Sequence, residues 1–140
     1  MQTYWPLILI VVSNIVYHVC SKSVPDALNP FAALTVTYLV GALASGVLFF
    51  ALNPGQSLVQ AYKELNWTAI ALGVAIVGLE AGTLYMYKLG WEISVGQLVH
   101  SGALAVCLLI IGRIFYNEPL TATKIIGAVV CLGGLVLLNI

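Results

Sequence analysis

From Pro30 to Leu52 the chain carries no charged side chain, and that run constrains the fold more than any other feature. At 1.5 Å per residue, a helix of this length exceeds the roughly 30 Å of bilayer hydrocarbon that about 20 residues cross. It opens on Pro30 and stops at Asn53, Pro54 and Gly55, a cluster that breaks a helix. Composition extends the reading to the whole chain, since 61% of the 140 residues are hydrophobic and 7% are charged. A soluble domain is about half apolar and a quarter charged. An all-α, polytopic membrane protein is the expected fold class, a bundle of five transmembrane helices forming one domain over residues 1–140.

The other four spans follow from the same pattern. Tyr4 to Cys20 is apolar and ends where Ser21, Lys22 and Ser23 reach the interface ahead of Pro25 and Asp26. With no basic leader and no small-residue cleavage site, this stretch reads as a retained first span rather than a removed signal peptide. Trp67 sits where aromatic rings favour the headgroup boundary and opens a span to about Tyr87. Lys88, Gly90, Trp91 and Glu92 make a turn, after which spans of about 93–111 and 120–140 flank Arg113, Asn117, Glu118 and Pro119. Between Gln56 and Asn66, Leu58, Val59, Tyr62 and Leu65 share one face opposite Gln60, Lys63 and Glu64, which predicts a short helix at the membrane surface.

Five spans place the termini on opposite sides of the membrane. Lys63, Arg113 and Lys124 would then share the side of the N-terminus, and Lys22 and Lys88 the other. Three cations against two is a weak positive-inside bias, compatible with insertion in both orientations.

Charge and motifs exclude several functions. Five basic and five acidic residues leave no net charge, so no basic field attracts nucleic acid. Cys20, Cys107 and Cys131 are odd in number and show no CxxC spacing, which suits small packing residues. No nucleophile motif, phosphate-cradling glycine loop or paired carboxylate occurs in a polar segment, so neither an enzyme nor a cofactor is expected. His18 and His100 stand on different spans with no carboxylate or Cys at ligand spacing, so no metal site is expected either.

The candidate functional residues are those whose polarity is costly at membrane depth. A carboxylate in hydrocarbon costs roughly 2.5 to 3.5 kcal/mol even on lenient insertion scales, so Glu80, inside the third span, should face a cavity or a partner. It is the candidate for proton or cation binding; the structural alternative is an acid paired with His18 or His100, or protonated and bonded between helices. Thr83 and Tyr87 follow at offsets of three and seven and continue a polar stripe. Asn14 and His18 form a patch on the first span, running toward Ser21 and Lys22, and Gln97, His100 and Ser101 form one on the fourth. Tyr17, Tyr85 and Tyr87 are candidate gates or stacking surfaces. The structural alternative for each patch is helix-to-helix hydrogen bonding, about 0.6 kcal/mol on average. Gly78 and Gly82, Ala42 and Gly46, and Gly127 and Gly134 offer small-residue faces for close helix approach.

The stretch from Gly82 to Ile140, above all IFYNEPLTATKIIGAVVCLGGLVLLNI, resembles the end of an EamA-type domain of the drug/metabolite transporter superfamily. Glu118, Pro119 and Leu120 stand where that family has a short Glu-x-Leu-like loop, followed by an Ile-Ile-Gly helix entry and a glycine-rich last span. The resemblance implies a small-molecule transporter in the plasma membrane of a prokaryote, acting on metabolites such as amino acids or nucleosides, with efflux favoured over uptake. Larger members carry two such domains in opposite orientations; a single one implies a homodimer in the lipid bilayer, antiparallel where the copies insert both ways. The chain also looks like the four-span small multidrug resistance exporters, in which the first helix carries a proton-exchanging Glu. Asn14 occupies that position, and an amide releases no proton. His100 stands where those exporters place a pathway Trp. Gly127 and Gly134 match the glycine spacing of their dimerising helix, which implies dimer packing there. The alternatives to a metabolite transporter are a nontransporting membrane subunit that needs a partner and a cationic drug exporter.

Overall fold

A computed structural model describes residues 4–137, apart from the side chains of Leu135 and Val136. The described chain is helical: α1 (Trp5–Lys22), α2 (Pro30–Leu52), the single turn α3 (Leu58–Ala61) leading into a 3₁₀ turn (Tyr62–Glu64), α4 (Trp67–Lys88), α5 (Ile93–Phe115) and α6 (Ala122–Leu137). By length and composition α1, α2, α4 and α5 are each able to cross a membrane. The described part of α6 is 16 residues, roughly 24 Å, and apolar. The last residues of the expected fifth span, 138–140, lie outside the described residues.

The helix ends follow local chemistry. Asn29 Oδ1 accepts from Phe31 N at 2.9 Å and Pro30 supplies the first residue of α2, so a donor orphaned by the helix start is satisfied. Asn66 does the same for α4, accepting from Thr68 N at 3.0 Å and from the Thr68 hydroxyl. α2 stops as expected at Asn53, whose Nδ2 donates to Phe49 O at 3.0 Å, before Gly55 turns the chain at φ +88°. Gly90 turns it again at φ +93° after α4. α5 extends beyond the expected Ile111 to Phe115. Arg113 therefore lies in its last turn, where a cation complements the helix dipole.

The chain forms two compact units, divided between Leu89 and Gly90. In the first, α4 packs against α1 and α2. Leu34, Ala81 and Leu84 are its buried centre, with Val24, Ala33 and Tyr38 packed around them. The outward surface is apolar: Trp67, Ile70 and Val74 are 75%, 74% and 70% exposed. Such a face suits hydrocarbon and would be a severe liability in water. Hydroxyls on α2 turn inward on their own helix, with Thr35 donating to Phe31 O at 2.9 Å and Thr37 to Ala33 O at 3.1 Å. That is how polar side chains are accommodated where water is absent.

In the second unit α5 packs against α6. After α5, Asn117 adopts a left-handed φ of +52°, and Glu118 N donates back to Gly112 O at 3.0 Å. The Glu118 carboxyl consequently lies over Gly112, 3.2 Å from where a Cβ would stand, and Glu118 Oε2 is 3.6 Å from Lys124 Nζ. The expected Glu-Pro-Leu loop is thus a fold-back tied to both helices. The expected surface helix over 56–66 is realised as α3 and the 3₁₀ turn, with Val59, Tyr62 and Leu65 uncovered.

Candidate functional site

The polar stripe of α4 is turned into the first unit. Thr83, Leu84 and Tyr87 follow Glu80 at three, four and seven residues, spacings that share one helical face. Leu84 and Tyr87 are buried against α1 and α2, and this packing draws Glu80 and Thr83 inward with them. A cavity of about 130 Å³ lies here. Tyr17 and Ser21 from α1, Thr37 from α2 and Glu80 from α4 supply oxygens to its wall; Leu34 and Leu84 supply apolar surface.

Three buried polar atoms of this region have no hydrogen-bond partner: Glu80 Oε2, the Tyr17 hydroxyl and the Tyr38 hydroxyl. The Tyr38 hydroxyl lies beside the Glu80 carboxyl without the geometry of a made hydrogen bond, and Tyr17 is close enough to Glu80 to interact electrostatically. Tyr17 also has the Ser21 and Thr83 side chains beside it, without the geometry of a made hydrogen bond. Unpaired polar atoms shielded from water are costly, and two of them, Glu80 Oε2 and the Tyr17 hydroxyl, belong to residues of this cavity wall.

Nearer the C-terminal end of α4, a second cluster is fully paired. The Tyr87 hydroxyl and His18 Nδ1 are hydrogen-bonded at 2.8 Å, both residues buried. The Tyr17 ring meets His18 edge-on at 5.1 Å, and Lys22 Nζ stands 5.5 Å from the centroid of the Tyr87 ring. Lys88 Nζ donates to the carbonyls of Asp26 and Leu28, each at 2.6 Å, and so ties the α1–α2 loop to the end of α4. His18 is therefore the partner of Tyr87. His18 Nδ1 is taken by Tyr87, two turns along α4 from Glu80, whose Oε2 makes no hydrogen bond.

The remaining candidates are placed as follows. Asn14 is exposed in its unit and donates to Ile10 O of its own helix at 3.0 Å. Thr83 donates to Leu79 O at 2.9 Å. Tyr85 is 46% exposed and meets the Phe31 ring edge-on at 6.4 Å between centroids. In the second unit Gln97 Nε2 donates to Ser101 Oγ at 3.0 Å along α5, and His100 is exposed. A Cβ added at Gly127 or Gly134 would meet nothing within 4 Å, so both glycines stand on an open face of α6. Among the described residues no group of three or more His, Cys, Asp or Glu is arranged to hold a metal, and all three cysteines are free thiols.

Tyr38, Thr37 and Lys88 join these clusters without having been singled out on the sequence. The available signal for Tyr38 was a phenol four residues after Leu34 in a charge-free span, because a hydroxyl in hydrocarbon needs a polar neighbour.

Comparison with curated proteins and with solved structures gave no match. The family model described as the EamA-like transporter family matches residues 3–140, nearly the whole length, and agrees with the motif-bearing stretch from Gly82 onward. This chain of apolar membrane-length helices, with an acid on the wall of a small cavity, belongs to the EamA-like transporter family.

Proposed function

We propose that this chain moves a small metabolite or related solute across the plasma membrane of a prokaryote by alternating access, as a homodimer of five-helix protomers, with Glu80 as the protonatable or cation-facing group. Membership of a transporter family supplies the class of activity. The observation that carries the residue assignment is the unpaired Glu80 Oε2 at a cavity to which Tyr17, Ser21 and Thr37 bring hydroxyl side chains. A carboxylate that only cemented helices together would have its oxygens paired. Tyr17 and Thr83 line or border the same region, His18 and Tyr87 form the closed cluster next to it, and Asn14, Tyr85, Gln97, His100 and Ser101 are proposed as further polar or aromatic positions along the path.

The homodimer rests on two supports. Gly127 and Gly134 lie on a face of α6 that nothing covers within its unit, which suits close approach by a second helix. The nearly balanced charge of the loops allows the two copies to insert oppositely, so that one gene product supplies an inverted pair.

Flux tests this reading. The purified chain, reconstituted without any other polypeptide, should take up or release solute in response to an imposed pH gradient, and Glu80→Gln should abolish that response while the protein remains folded. Unaltered flux in Glu80→Gln removes the residue from the mechanism. Absence of flux in the wild type, with a second polypeptide recovered on purification, identifies a subunit of a larger transporter instead.

A further inference from the structure

We propose that the cavity between α1, α2 and α4 recognises the primary ammonium group of a small aliphatic solute. The inference rests on the transporter reading of the same site and names the chemistry of its substrate. Charge comes first: Glu80 is the one ionisable acid on the cavity wall, and among the described residues no Lys, Arg or His shares that wall with it. The nearby lysines are committed elsewhere, Lys88 to the carbonyls of the α1–α2 loop and Lys22 above the Tyr87 ring. A carboxyl shielded from water is neutralised by a proton or by a paired cation, and with no protein cation on the wall that cation comes from outside.

Hydrogen-bond number narrows the cation. Glu80 Oε2 and the Tyr17 hydroxyl are wall oxygens lacking partners, the Ser21 and Thr37 hydroxyls share that wall, and an ammonium group offers three N–H donors with no acceptor. Tyr17 reaches the group from the wall, and the Tyr38 hydroxyl stands beside the Glu80 carboxyl. Charge-assisted bonds of this kind are short and strong, and they are directional, which a bare alkali ion or a quaternary ammonium cannot exploit. Size limits the rest of the solute. A volume of about 130 Å³ equals roughly four waters at about 30 Å³ each, enough for an ammonium head and a short stem along Leu34 and Leu84, and too little for a fused aromatic ring system.

Calorimetric titration of the full chain in lipid nanodiscs tests the proposal, with n-propylammonium, tetramethylammonium and sodium as probes. Saturable binding of n-propylammonium is expected, with tetramethylammonium weaker by about tenfold or more because it has no N–H to donate. Glu80→Gln should remove binding, and Tyr17→Phe and Tyr38→Phe should each weaken it about tenfold. Thermal unfolding in the same discs separates lost binding from lost fold. If Glu80→Gln does not fold, the two Phe variants and the tetramethylammonium comparison decide. No binding of n-propylammonium, equal affinity for tetramethylammonium, preference for sodium, or full affinity in both Phe variants overturns the assignment. Binding without flux from the same preparation would keep the site and reject the transporter reading; flux of an amine-free solute without n-propylammonium binding would do the reverse.

Discussion

At the scale of single residues, the first unit separates two kinds of polar group. His18 and Tyr87 are buried and bonded to each other, whereas Glu80, Tyr17 and Tyr38 are half-buried and each carries a shielded atom without a hydrogen bond. The first kind stabilises; the second is the kind proposed to receive a guest. Tyr87→Phe leaves the imidazole without its phenol partner and should destabilise the chain by about 1–2 kcal/mol with little loss of ring packing. Thermal unfolding in detergent would show it, and an unchanged midpoint would mean that the bond contributes nothing. Lys88 makes a different prediction, because its ammonium holds the carbonyls of Asp26 and Leu28. Lys88→Met keeps the stem and removes the donors. Limited proteolysis should then cut between Ser23 and Asn29 several-fold faster than in the wild type; an unaltered cleavage rate would show that the loop is held by its other contacts.

At the scale of elements, starts and stops are set by short-range chemistry and could be read directly: Asn29 with Pro30, and Asn53 with Pro54 and Gly55, act within one turn of themselves. Facing could not. α2 carries no charge on any side, so periodicity carries no mark of which of its stripes meets a neighbour, whereas α4 is marked only by the stripe of Glu80, Thr83 and Tyr87. Glu80 was visible because an acid in hydrocarbon is exceptional on any face. Tyr38 and Thr37 were not, since their part depends on α2 packing against α4, a long-range fact. The end of α5 shows the same limit: Glu118 was recognisable as part of a loop motif, but not its return over Gly112. That turn needs a left-handed residue, and Asn117 meets the requirement with a side chain that tolerates it only partly. Asn117→Gly should stabilise by about 0.5 kcal/mol and Asn117→Val should destabilise by more than that, measurable as opposite shifts of the unfolding midpoint. Shifts in the same direction would contradict the strain assigned to this position.

At the scale of the whole molecule, composition alone specified a polytopic membrane protein, because no soluble arrangement hides so many apolar side chains. Orientation is decided by far fewer residues, Lys63, Arg113 and Lys124 against Lys22 and Lys88. With so small a difference, thiol labelling of cysteines placed at either terminus, in a chain whose own cysteines are replaced by Ser, should detect each terminus on both sides of intact cells. Labelling of each terminus from one side only would require a parallel dimer or an oppositely oriented partner. As proposed above, this polypeptide forms a transport pathway governed by Glu80. The most direct test of that proposal is proton-driven solute flux in vesicles containing the purified chain alone, compared between wild type and Glu80→Gln at equal protein content. Flux in the wild type and none in the variant is the predicted result; equal rates in the two would contradict it.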